Sequence, residues 1–135
     1  MDPLHQIIQL ARQDRRYRPE AYFFVLEALD YAQQTLTMGG EGGGPAARAD
    51  RHLTGQQLCE AMRLYALDQF GLMAKCVLNS WGLTATGDFG EIVYNMIRIE
   101  RMRKTDDDRR EDFDDVFDFE TGLRQSFQFA PANER

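Results

Sequence analysis

The stretch LTGQQLCEAMRLYALDQFG, residues 53–71, decides the fold of the middle of this chain. Thr54 and Gln57 form the T-x-x-Q pattern of a capping box, in which each side chain bonds the other residue's backbone N–H at a helix start. Apolar residues then recur at helical spacing up to Phe70, and Gly71 is a typical helix terminator. The stretch therefore predicts a helix that begins after Thr54 and ends at Gly71.

Two more helices are predicted directly after this one. The first has a helical row of apolar residues, namely Met73, Cys76, Val77 and Trp81. Gly82 followed by Leu83 is a favourable C-terminal cap for that helix. Asp88 and Glu91 form a second capping-box pattern, D-x-x-E, which predicts the start of the next helix.

Residues 1–37 predict a helical hairpin. Pro3 and Pro19 each mark a helix start, because proline lacks an N–H that the first turn leaves unbonded anyway. The joint at Tyr17 and Arg18 is short, which favours two antiparallel helices. The second helix is apolar on most sides, which is typical of a helix at the centre of a fold.

Residues 38–50 interrupt the helical pattern with the run GGEGGGP. Such glycine density is typical of a flexible loop. The run is not a phosphate-binding loop, because no Gly-Lys-Ser/Thr follows it. We expect residues 51–129 to form a helical core with a small β element, and residues 130–135 to fray.

The C-terminal part has a different periodicity. FDDVFDF, residues 113–119, partly alternates between apolar and acidic residues, which predicts a short strand or extended segment after the charged run KTDDDRRED. Three helices followed by a ribbon with a charged tip is the order of a winged helix-turn-helix. The predicted fold class is mainly α, with five or six helices in one domain, a small C-terminal β element and a winged-helix-like arrangement in residues 53–119.

Charge and hydropathy limit the classes of function. The formal net charge is −6 and the pI is near 4.9, which disfavours non-specific binding to nucleic acid. The N-terminal MDPLHQIIQL lacks the basic and apolar regions of a signal peptide, and no apolar run reaches the roughly 18 residues of a membrane span. We therefore expect a cytoplasmic protein with no membrane partner.

Candidates for catalysis and metal binding are few. Cys59 and Cys76 lie among apolar neighbours, so both are predicted to be buried free thiols. His5 and His52 are the only histidines. A Cys59–His52 dyad is conceivable, and a small hydrolase would need His52 or the acidic cluster in a cleft. These residues lack the paired spacing of zinc ligands, and the acidic run lacks the order of an EF-hand loop. No catalytic residue, metal or cofactor is predicted.

Two interaction surfaces are predicted instead. The preferred function is a non-catalytic module that binds another protein. Its candidate contacts are Arg18, Tyr22, Phe23, Trp81, Phe89, Asp106, Asp107 and Asp108. For each aromatic residue, a place in the core is the alternative interpretation.

The second surface would belong to a nucleic-acid-binding regulator of winged-helix type. Its candidate contacts are Arg98, Arg101, Arg103, Lys104, Arg109 and Arg110. The predicted recognition helix starts with Asp88 and Glu91, whose charges oppose contact with phosphates and base edges. A protein partner is therefore preferred over nucleic acid.

Five segments carry a family resemblance: RPEAYFFVLEALDY, HLTGQQL, YALDQFGLMAKCVLNSWG, DFGEIV and KTDDDRREDFDDVFDF. Together they resemble a family of short, uncharacterised bacterial proteins, over most of the chain from Tyr17 to Phe119. The resemblance implies a single-domain cytoplasmic protein. It implies no activity and no catalytic residues, because none is established for the family.

Overall fold

The structure, a computed structural model, describes residues 3–34, 53–102 and 108–124. Its helices are α1 (Pro3–Gln13), α2 (Pro19–Gln34), α3 (Gly55–Phe70), α4 (Ala74–Ser80), α5 (Thr86–Arg98) and the short α6 (Phe119–Gly122). Two 3₁₀ turns, Gly71–Met73 and Arg110–Phe113, complete the described elements. The mainly helical fold class is confirmed. The predicted loop at residues 38–50 and the predicted tail at residues 130–135 lie outside the described residues.

Helix α2 lies at the centre, in contact with α1, α3 and α5. Its Phe24 is buried, with ring centroids 5.6 Å from Tyr65, 5.8 Å from Trp81 and 6.3 Å from Phe89. Such aromatic pairs contribute about 0.5–1.5 kcal/mol each beyond the area that they bury. The nearly all-round apolar character of α2 is therefore explained by partners on several sides.

The joint between α1 and α2 rests on the turn between α4 and α5. The backbone N–H of Arg18 donates to the Trp81 carbonyl over 3.1 Å. Gly82 has a φ of 96°, and a Cβ atom there would lie 2.0 Å from the Arg16 carbonyl oxygen. Glycine is required at this position for both reasons, because it tolerates the left-handed conformation and leaves room for the passing backbone.

The two predicted capping boxes have different outcomes. At α3 the box is confirmed, with reciprocal 3.0 Å bonds between Thr54 and Gln57. Helix α5 begins earlier than predicted, at Thr86, and Asp88 is its third residue. The Asp88 carboxylate accepts from the backbone N–H of Ala85 over 3.2 Å, so it caps the helix from inside the first turn.

Helix α4 buries a different face from the one predicted. Ala74 and Leu78 are its buried residues, whereas Met73 is 56% exposed. Cys76 is exposed as well, so the prediction of two buried thiols is wrong for Cys76 and confirmed only for Cys59. The reason is that α4 has only seven residues, and its apolar residues extend around more of the helix than the core can cover.

The predicted C-terminal β element is wrong for the described residues. Residues 108–124 form the 3₁₀ turn Arg110–Phe113, bends and α6, with no strand among them. Phe113 and Phe119 are still buried, each 4% exposed. Turns bury both rings without a strand. A partial alternation over seven residues does not distinguish the two structures in the sequence. Of the winged-helix-like prediction, the three helices are present in the described part of the chain and the β wing is not.

Small residues hold this C-terminal segment, residues 108–124, against α3 and α5. A Cβ atom on Gly90 would lie 2.8 Å from the Phe113 Cβ, and one on Gly55 would lie 2.8 Å from the Asp112 Cβ. The Val116 N–H donates to the Thr86 hydroxyl over 3.1 Å. The segment is therefore an integral part of the core, packed over the start of α5.

Candidate functional site

An open groove of about 480 Å³ lies between α2 and α3. Its lining residues are Leu26, Glu27, Asp30, Tyr31, Gln34 and Tyr65. Five of the six come from α2, at positions i, i+1, i+4, i+5 and i+8, so they share one helical face. The groove is therefore a strip along α2 with one wall supplied by α3.

Two tyrosine rings and the Leu26 side chain form the apolar part of the groove. The Tyr31 and Tyr65 ring centroids are 5.1 Å apart, and Tyr65 in turn lies 5.6 Å from the buried ring of Phe24. Tyr31 and Tyr65 are each partly exposed. Contact with the core fixes Tyr65, and Tyr65 supports Tyr31 at the rim.

Two carboxylates form the polar part. The Tyr65 hydroxyl donates to Glu27 Oε1 over 3.1 Å, and the Gln34 amide donates to Asp30 Oδ1 over 2.7 Å. Both donors are neutral, and within the described ranges no other hydrogen bond or ion pair reaches either carboxylate. Neither carboxylate is therefore paired with a cation in the described ranges, and each has one oxygen free to accept from a ligand.

The electrostatic field of the groove is negative. Burial raises the pKa of Tyr65, and the hydrogen bond to Glu27 and the charges of Glu27, Asp68 and Asp30 raise it further. Helix α2 has no basic residue. Helix α3 has one, Arg63, which donates to Glu60 over 2.6 Å and to the Gly122 carbonyl over 3.4 Å. No cation of either helix compensates the groove carboxylates.

The residues predicted to bind a protein are not brought together as one surface. Tyr22 and Phe89 are 0% exposed and belong to the core, which does not fit a role as contacts. Phe23 and Trp81 are half-buried and pack against the same core. Arg18 is exposed, with Glu20 at 3.6 Å, and Asp108 is half-buried. Residues 106 and 107, the other two predicted aspartates, lie outside the described ranges.

The residues predicted to bind nucleic acid have different environments. Arg98, the last residue of α5, and Arg101, three residues later, are exposed. Arg109 is exposed as well and directly precedes the 3₁₀ turn Arg110–Phe113. Arg110 instead bonds Glu91 over 2.6 Å. Arg103 and Lys104 fall within residues that the structure does not describe.

The start of α5, the predicted recognition helix, is covered. Thr86 is 1% exposed and Phe89 is 0% exposed, because the C-terminal segment packs over them. The Asp88 carboxylate accepts from the Tyr17 hydroxyl over 2.5 Å and from the backbone N–H groups of Thr84 and Ala85, just before the helix. A recognition helix must present its N-terminal residues to base edges, so this packing opposes major-groove binding.

The candidate thiol and histidines do not form a described catalytic arrangement. Burial raises the pKa of Cys59 to about 12, so its thiol is protonated at neutral pH and is a poor nucleophile. His5 is exposed on α1, and His52 lies outside the described residues. The described ranges contain no cluster of three or more His, Cys, Asp or Glu side chains that could hold a metal ion. Nor does any helix there have the length and apolar character needed to cross a membrane.

The groove residues were not identified from the sequence. The available signal was the charge of α2, in which Glu27 and Asp30 lie on one face of a helix that has no basic residue. This signal was incomplete, because Tyr65 is 34 positions beyond Tyr31 and only the packing of α2 on α3 brings their rings together.

No family model, no curated protein and no solved structure matches this chain. The resemblance to a bacterial family therefore stays a prediction.

Proposed function

We propose that this protein is a non-catalytic interaction module that binds another protein in the groove between α2 and α3. The observation that carries the proposal is an open groove in which two tyrosine rings lie beside two carboxylates that, among the described residues, bond only neutral donors. The proposal keeps the function preferred from the sequence and moves the contact surface to different residues.

The composition of the groove supports this proposal. Tyrosine is enriched where proteins bind one another, because it offers a large rigid surface and a hydroxyl group. Tyr31 is supported from behind by Tyr65, so little side-chain freedom remains to be lost on binding. Glu27 and Asp30 would supply orientation through hydrogen bonds at the rim.

The proposal is tested with a photo-crosslinking amino acid at Gln34, which is exposed at the groove. The matched control position is Gln56, which is exposed in the first turn of α3 and about 13 Å along that helix from Tyr65. Illumination in the native cell should give one identified protein adduct at position 34 and none at position 56. Tyr31→Ala should abolish the adduct. The absence of an adduct at position 34, or the same adduct at both positions, would contradict the proposal.

A further inference from the structure

We infer that the occupant of the groove is an extended peptide segment of the partner protein that carries arginine side chains. This inference rests on the proposed function and names the chemistry of the partner. It follows from the free oxygens of the two carboxylates, the partly exposed Tyr31 and the dimensions of the strip along α2.

The carboxylates are oriented but not neutralised. Glu27 is held through Oε1 and Asp30 through Oδ1, which leaves Oε2 and Oδ2 as acceptors. A cationic donor would make charge-assisted bonds to these atoms, and such bonds are about twice as strong as neutral ones. Any anionic ligand would be repelled by both groups, so phosphate-bearing partners are disfavoured.

The tyrosine beside the carboxylates favours arginine over lysine. Tyr31 follows Asp30 directly, its ring is tilted by 48° against that of Tyr65, and the residue is partly exposed. A planar guanidinium group can stack on an aromatic ring and donate in its own plane to a carboxylate at the same time. A lysine ammonium group is more strongly hydrated and lacks this planar arrangement.

The spacing of the groove fits an extended chain. Leu26 to Gln34 spans about 12 Å along α2, which corresponds to three or four residues of an extended peptide. Side chains at positions i and i+3 of a helix are about 5–6 Å apart, which is the relation between Glu27 and Asp30. Alternate residues of an extended chain share one face at about 6.7 Å, so two arginines separated by one residue match the two carboxylates.

The ligand series that tests the inference uses the full wild-type chain. A fluorescein-labelled Gly-Arg-Gly-Arg-Gly peptide is titrated by fluorescence anisotropy against analogues with lysine or with citrulline, the neutral isostere of arginine. The arginine peptide should bind at least tenfold more tightly than the citrulline peptide and about threefold more tightly than the lysine peptide. Equal binding of the arginine and citrulline peptides would overturn the inference.

A pair of matched variants then locates the binding. Glu27→Gln with Asp30→Asn should weaken binding of the arginine peptide at least tenfold. Glu20→Gln with Glu111→Gln changes the net charge equally at two exposed positions outside the groove, and it should change affinity less than twofold. An equal loss in both variants would mean that net charge alone attracts the peptide, which overturns the inference. Circular dichroism melting curves establish that each variant is folded.

The inference and the proposed function fail in different ways. If crosslinking at position 34 identifies a partner whose contact peptide has no arginine, the inference is overturned and the interaction module stands. If crosslinking captures no partner, the proposed function is overturned, whatever the peptides do. Crosslinks at position 34 to a segment with two closely spaced arginines would support both.

Discussion

Two regions of this protein use carboxylates in opposite ways. Where the joint between α1 and α2 meets α5 and the C-terminal segment, Glu91 lies between two arginines, 3.0 Å from Arg16 and 2.6 Å from Arg110. In the groove between α2 and α3, the carboxylates of Glu27 and Asp30 accept from neutral donors, and no described cation pairs with them. In the first region the carboxylates pair with arginines of the same chain. In the second region no described cation pairs with the carboxylates, so they can accept from a partner. We interpret the first as structural and the second as a binding surface.

The arginine junction, formed by Asp14, Arg16, Glu91, Arg110 and Asp114, ties distant parts of the chain together. Arg16 donates to Asp14 over 2.7 Å, and Arg110 donates to Asp114 over 2.7 Å. The hydrogen bond from Arg16 holds the pKa of Asp14 well below its usual range, and the bond from Arg110 lowers the pKa of Glu91. Both lowered values mean that folding favours the charged forms, as a structural role requires.

The largest expected effect comes from the packing beside the junction. Phe113→Ala should destabilise the protein by about 3–5 kcal/mol, because it removes a buried aromatic ring from the interface with α5. Tyr31→Ala in the groove should cost only about 1 kcal/mol, since mainly the ring contact with Tyr65 is lost. Urea unfolding followed by the fluorescence of Trp81, the single tryptophan, measures both. If the two substitutions reduced the free energy of unfolding equally, the distinction between the two regions would be contradicted.

A smaller loss is expected from the junction carboxylate itself. Glu91→Gln should reduce the free energy of unfolding by about 1–2 kcal/mol, because charge-assisted bonds to two arginines are weakened. The matched control is Glu20→Gln, whose side chain is 52% exposed beside Arg18 at 3.6 Å and should contribute less than about 0.5 kcal/mol. If the two substitutions had the same effect in urea unfolding, the junction would be no more than a surface ion pair.

The pH dependence of stability should come from the junction. Asp14 and Glu91 have lowered pKa values in the folded protein, so the unfolded chain binds more protons in acid. Their contribution should be complete above about pH 5 and lost as the pH falls through their ordinary values of 3.8 and 4.5 toward the lowered folded values. Glu91→Gln should make the acid-side loss of stability shallower. Melting temperatures between pH 3 and pH 7 measure this slope, and an unchanged slope would contradict the assignment.

How far the sequence predicts this fold depends on how local each signal is. The start of α3 was predictable because Thr54 and Gln57 bond each other within one turn. The position of Gly82 was predictable as a helix end, but the Arg16 carbonyl that passes over it was not. Local patterns fix where helices start and stop, and tertiary packing decides what lies against them.

The errors have the same origin. Glu91 matched a capping pattern, yet its carboxylate forms ion pairs with two arginines from distant parts of the chain. Tyr22 and Phe89 were candidate contacts, and they are buried because neighbouring helices cover them. The groove was not predicted, because it is formed by residues of two helices, and neither the α2 residues nor Tyr65 indicates it in the sequence.

The most direct measurement compares stability and peptide affinity in one variant, Glu27→Gln with Asp30→Asn. The free energy of unfolding should stay within about 0.5 kcal/mol of wild type, because no ion pair is lost and the repulsion between two like charges is relieved. Affinity for the arginine peptide should fall at least tenfold in the same preparation. A stability loss above about 1 kcal/mol with unchanged peptide affinity would show that these carboxylates are structural, and it would contradict the distinction between the groove and the arginine junction.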